Sequence, residues 1–136
     1  MRRHLAAAAL AAAVALAPTP APAAPWCEYT DAAVGDAELA HDLRQRQLAW
    51  YLVSLADIAS TDWIIRDGGR EVNPIVVGTI GERPSTGELW AFGLATTWAV
   101  DMLVCKRGGS WRERKRTFEI LAATRGILVI WNIGQF

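Results

Sequence analysis

Histidine is nearly missing from this chain, with His4 and His41 the only two among 136 residues. Most Ser/His or Cys/His nucleophile schemes and His-based metal sites are thereby excluded, because each needs an imidazole as base or ligand. Cysteine is equally scarce. Cys27 and Cys105 form no CxxC pair and neither lies near a histidine at ligand spacing, so no zinc site can be read. An excess of one charge is missing too: Lys+Arg and Asp+Glu are equal at 14 each, and nucleic acid is not an expected partner. No catalytic or cofactor motif rises above background. The chain is expected to be neither an enzyme nor a cofactor carrier, and its length accommodates one domain.

Apolar and aromatic residues are abundant instead. Hydrophobic residues make up 52% of the chain and Trp occurs 7 times, a residue that favours the membrane–water boundary. Met1-Arg2-Arg3-His4 is a short basic stretch, Leu5 to Ala17 is rich in alanine and leucine, and Ala21-Pro22-Ala23 supplies the small residues of a cleavage site. The apolar part is too short to cross a bilayer, so residues 1–23 are predicted to be a signal peptide cut after Ala23. Trp26 directly before Cys27 argues against a lipoprotein box, which needs a small residue there. A polar segment, 24–35, follows.

From position 36 onward the pattern is that of an all-α helical membrane domain, 36–136. Asp36 can cap a helix with Leu39 and Leu43 on one face, which becomes apolar over about 48–65 and stops at Gly68-Gly69. Ser85 and Glu88 form a capping box before the run 89–105. Ser110 and Glu113 form another before the run 118–136. Each run measures roughly 25–28 Å as a helix, near spanning length. Trp50, Trp63, Trp90 and Trp131 lie near run ends, as boundary anchors would, whereas Trp98 is expected to pack inside. Between the first two spans, Asn73-Pro74 reads as a cap followed by proline at the first helical position. The helix it opens is too short to cross and suits a half-inserted or interfacial position. An exported soluble bundle is the competing architecture, because each run carries charge.

Those charges fall at comparable depth. With short connections, the first and third spans run in the same direction and the second runs against them. Measured from their shared face, Arg125 lies about 10 Å deep, Thr97 about 12 Å, Asp57 about 13 Å and Asp101 about 6 Å. Ser54, Asp57 and Thr61 share one helix face, Gly93, Thr97 and Asp101 another, and Arg125 and Asn132 a third. The expectation is an internal polar seam of Asp57, Thr61, Thr97, Asp101, Arg125 and Asn132, with Arg125 bridging Asp57 and Asp101 and Gly93 letting backbones approach. Such a seam either fastens three marginal helices or marks a proton, ion or ligand path.

The pattern Asp57-x-x-Ser60-Thr61, then Gly69-x-Glu71-x-Asn73-Pro74, resembles a family of small bacterial and archaeal multi-pass membrane proteins of unknown function. The likeness covers roughly residues 48–136 and includes Asn132, which is similar to an asparagine of the family's last span. It implies the membrane architecture and marks Asp57, Thr61, Glu71, Asn73 and Pro74, but implies no activity. Members often carry a lysine in the second span, and none lies between Leu89 and Cys105 here.

The expected location is the bacterial inner membrane, and the expected partners are the bilayer and a homo-oligomer or larger membrane complex. A non-catalytic accessory or assembly role is the leading expectation, with transport or sensing through Asp57, Arg125 and Asp101 as the alternative. Sidedness divides two rules. The signal segment exports the mature N-terminus together with the loop 106–117, yet that loop holds Lys106, Arg107, Arg112, Arg114, Lys115 and Arg116 against Glu113, and basic loops ordinarily stay in the cytoplasm. The export rule is followed here, and it places Cys27 and Cys105 on one oxidising side, where a disulfide can form. Thiol labelling of intact cells is expected to modify the protein only after a reductant is added; labelling without reductant would reverse this orientation.

Overall fold

The computed structural model describes residues 34–106 and 110–134. The predicted signal peptide, Cys27 and the last two residues of the third run lie outside these. The described residues form four helices and no strand: α1 (Ala37–Arg66), α2 (Pro74–Ile80), α3 (Thr86–Lys106) and α4 (Trp111–Gly134). By length and hydropathy, α1, α3 and α4 can each cross a membrane.

Local chemistry places each boundary where the sequence suggests. Asp36 accepts from the Leu39 amide at 3.0 Å and opens α1. At its other end Gly68 adopts φ 92°, a left-handed conformation costly for any residue with a Cβ. The Gly69 amide then donates back to the Ile64 carbonyl at 2.9 Å. Asn73 accepts from the Ile75 amide at 3.0 Å, with Pro74 beginning α2. Both capping boxes form: Glu88 accepts from the Ser85 amide and Glu113 from the Ser110 amide, each at 2.8 Å.

Side-chain partners establish the directions. Along α1 and α4 they advance together, Asp42 with Lys115, Arg46 with Glu119, Asp57 with Arg125 and Thr61 with Asn132, so these helices are parallel. Along α1 and α3 they run oppositely, from Tyr51 with Asp101 to Arg66 with Thr86, so this pair is antiparallel. The expected up–down–up order therefore holds. Helix α1 is the central element, lying along α4 and packing on α3, while α3 and α4 make only slight contact with each other.

The hydrophobic core sits at one end. Leu43, Trp50, Val104, Cys105 and Phe118 bury one another where the turns of α1 preceding the apolar run meet the start of α4. Further along, the interior turns polar and the exterior apolar, with Ile127, Ile130 and Trp131 all more than 60% exposed. Two tryptophan expectations are overturned. Trp50 is 4% exposed and is a core residue, because it faces both α3 and α4; Trp98 is 42% exposed because it lies on the outer side of α3.

Gly93 explains how α1 and α3 come so close, since a Cβ there would stand 2.5 Å from Ile58 Cδ1. Gly93→Val is expected to destabilise the bundle by about 1–3 kcal/mol through overpacking. Shortening the opposing side chain with Ile58→Ala should recover part of the loss, read as thermal unfolding of the single and double variants in detergent.

Candidate functional site

The polar seam is assembled on α1. Positions 47, 51, 54, 57 and 61 recur at helical spacing and form a stripe, which α3 meets on one flank and α4 on the other. At its centre Arg125 Nε donates to Asp57 Oδ2 at 3.0 Å, while Nη1 donates to Ser54 Oγ at 2.9 Å and Thr97 Oγ1 at 3.2 Å. The guanidinium carbon also lies 5.0 Å from the centroid of the Trp50 ring, whose Nε1 donates to the Thr97 carbonyl at 3.3 Å. One cation thus gathers a carboxylate, two hydroxyls and an aromatic face from the two neighbouring helices.

Asp101 is not part of that cluster. Its carboxylate is fully buried and accepts from Gln47 Nε2 and Tyr51 Oη, both at 2.8 Å. The expected Arg125 bridge between Asp57 and Asp101 is therefore corrected: Arg125 reaches Asp57 alone of the two acids. The reason is axial position. Asp101 lies one turn beyond Thr97 along α3, toward the Lys106 end, where α1 presents Gln47 and Tyr51 and α4 presents Phe118. Thr97 takes the guanidinium instead.

Toward the other end, Asn132 Nδ2 donates to Ser60 Oγ and Thr61 Oγ1, each at 3.2 Å. Ser60 in turn donates to the Asp57 carbonyl at 3.0 Å, tying this contact to the centre. Beyond the seam, Thr86 Oγ1 donates to Asp62 and accepts from Arg66 at 3.1 Å, with Arg66 also 3.0 Å from Asp62. Of the predicted seam residues, Asp57, Thr97 and Arg125 meet directly, Thr61 and Asn132 meet each other, and Asp101 forms a separate cluster. Gln47 and Tyr51 escaped the sequence reading, which took Trp50 as a boundary anchor and Ser60 only as part of the resemblance motif. Following the Ser54–Asp57–Thr61 stripe two turns back along α1 would have found Gln47 and Tyr51.

Glu71, Asn73 and Pro74 stand apart from the seam, in the turn before α2. The Glu71 carboxylate accepts from the amides of Val72 and Asn73 at 2.9 and 2.8 Å, and its own amide donates to the Glu82 carbonyl at 2.8 Å. Glu71 therefore holds the turn that Asn73 and Pro74 convert into a helix. Gly69 is needed beside it, because a Cβ there would lie 2.8 Å from the Ile64 carbonyl oxygen.

Cys105 is buried in the core near the end of α3, and Cys27, the partner expected for it, lies outside the described residues. Among the described residues no group of three or more His, Cys, Asp or Glu side chains could hold a metal ion. Comparisons with protein-family models, with curated proteins and with solved structures found no match.

Near the start of α1, the Lys115 ammonium hydrogen-bonded to Asp42 holds that carboxyl below its usual range. A depressed folded-state value means that the pair stabilises the fold above the ordinary carboxylate range and ceases to do so as pH falls through the folded value. Asp42→Asn should therefore lower the unfolding temperature near neutrality and converge with the wild type in acid. A constant difference at every pH would contradict this role for the pair.

Proposed function

We propose that this chain is a small non-catalytic integral membrane protein acting by association, as an accessory subunit or assembly factor, with its polar seam serving as the fastener between spans. The supporting observation is that the seam is satisfied from within. Arg125 is taken up by Asp57, Ser54 and Thr97, Asp101 by Gln47 and Tyr51, and Asn132 by Ser60 and Thr61. Groups committed to one another in this way are poorly available to a passing ion, and three helices of which two barely touch do not enclose a path.

A bilayer suits this exterior better than water does. A soluble bundle would turn polar faces outward, yet Ile127, Ile130 and Trp131 are 66%, 73% and 64% exposed. The signal segment read from residues 1–23 favours an exported N-terminus at a bacterial inner membrane, on which side a Cys27–Cys105 disulfide can form. The likeness to the family marked by Asp57, Thr61, Glu71, Asn73 and Pro74 fits the same reading, because each of these residues has a structural task. Transport or sensing remains the second reading, favoured by one observation: the Asp57 and Arg125 side chains keep 17% and 19% of their surface accessible.

Arg125→Leu strands the Asp57 carboxylate in a poorly solvated place, a loss of about 3–5 kcal/mol for a buried pair, less for one partly open. Accumulation in the membrane should fall severalfold, and Arg125→Leu with Asp57→Leu should recover much of it. Liposomes holding the wild-type protein are expected to show no pH-dependent ion flux. A flux abolished by Asp57→Asn would replace the fastener with the transport reading.

A further inference from the structure

The outer face of α4 carries a pattern that the seam does not use. Arg112, Arg116, Ile120, Ile127 and Ile130 recur at three- and four-residue steps or multiples of them, and so share one stripe of the helix with Trp131 at its edge. Phe118, Arg125 and Asn132 point the opposite way, into the bundle. Both arginines are exposed, and among the described residues neither makes a hydrogen bond or ion pair. Their neighbours are committed: Glu119 is paired with Arg46 and Lys115 with Asp42. At the opposite end of the bundle Arg66 and Arg70 have carboxylate partners in Asp62 and Glu82. Two unneutralised guanidinium groups thus stand at one end of a helix face, followed by isoleucines that are 57%, 66% and 73% exposed.

We propose that this stripe of α4 is a binding site for an anionic phospholipid, with Arg112 and Arg116 holding the headgroup phosphate and the isoleucine face receiving an acyl chain. The proposal rests on the membrane-spanning reading given above. Geometry favours a lipid over other anions. Arg112 and Arg116 are one helical turn apart, about 6 Å along the axis, so both can reach one phosphate group and its substituent. The apolar stripe then continues for about 15 Å from Ile120 to Ile130, the depth of one leaflet's hydrocarbon. A soluble acidic protein would use the arginines and leave the isoleucines idle. A phospholipid uses both.

The test is native mass spectrometry of the full chain released from detergent, with phosphatidylglycerol or phosphatidylcholine of identical acyl chains added. The wild type should retain phosphatidylglycerol preferentially, and the preference should fall roughly fivefold for each arginine removed by Arg112→Gln and Arg116→Gln. Both sites are exposed, so these variants are expected to fold; Arg83→Gln at the opposite end should leave the preference intact. Equal retention of the two lipids, an unchanged preference in Arg112→Gln/Arg116→Gln, or an equal loss in Arg83→Gln would overturn the proposal. So would displacement of the lipid by polyglutamate or inorganic phosphate at matched charge, which would assign the arginines to a protein partner or a free anion. A chain that stays in the supernatant without detergent would defeat the membrane reading itself. One that enters membranes but binds both lipids alike would defeat only the lipid site.

Discussion

The contact between Arg125 and Asp57 is the constraint around which the bundle is arranged. An arginine inside an apolar helix cannot shed its charge, and leaving it toward hydrocarbon is costly. The way to keep it is to surround it with acceptors from the neighbouring helices. Asp57 and Ser54 supply them from α1 and Thr97 from α3, with the Trp50 ring against the guanidinium. Because these partners sit on two helices, satisfying one side chain sets the axial position of all three. A greasy interface alone specifies register poorly, whereas a charged group with directional bonds tolerates little sliding.

From this follows an interior that reverses the usual soluble arrangement along much of its length. Ser54, Ser60, Thr97 and Asp101 are buried, while isoleucines and a tryptophan cover the outside of α4. The main apolar cluster lies at one end, where α1 extends past its apolar run and Leu43 and Phe118 close together, while Ile58 and Leu89 are buried apart from it. Glycine makes this possible: without a side chain at Gly93, α3 lies close enough to α1 for Thr97 to reach the guanidinium and for Asp101 to reach Gln47 and Tyr51. Close backbone approach and side-chain hydrogen bonding are the two means by which helices associate when the surroundings are as apolar as the helices themselves.

The two ends of the bundle differ in how their charges are disposed. At the α1–α2 turn, Arg66 and Arg70 are matched by Asp62 and Glu82, and Glu71 spends its carboxylate on two amides of its own turn. At the other end Arg46 and Lys115 are matched, whereas among the described residues Arg112 and Arg116 have no ion-pair partner, and at the first end the same holds of Arg83 alone. That asymmetry is a property of surface placement rather than composition, since the total charge of the chain is balanced. A binding role concentrated at one end of α4 is compatible with a seam that is internally complete, because the two occupy opposite faces of the same helix.

Much of the architecture was legible in the amino-acid order because its causes are local. Asp36, Ser85 and Ser110 begin helices by offering an oxygen to free amides, and Gly68 ends one by accepting a left-handed backbone, so boundaries could be placed without tertiary information. Apolar length and short connections likewise implied three alternating long helices, and periodicity assigned Asp57, Thr61, Thr97, Arg125 and Asn132 to facing stripes. What periodicity could not decide was which of two acids Arg125 would take, because Asp57 and Asp101 differ from it in depth by less than the reach of the side chain. Only the packed helices place Thr97 level with the guanidinium and leave Asp101 to Gln47 and Tyr51. Trp50 and Trp98 exchanged their expected places for the same reason: distance from a run end says how deep a ring lies, whereas the direction it faces depends on which helices flank it.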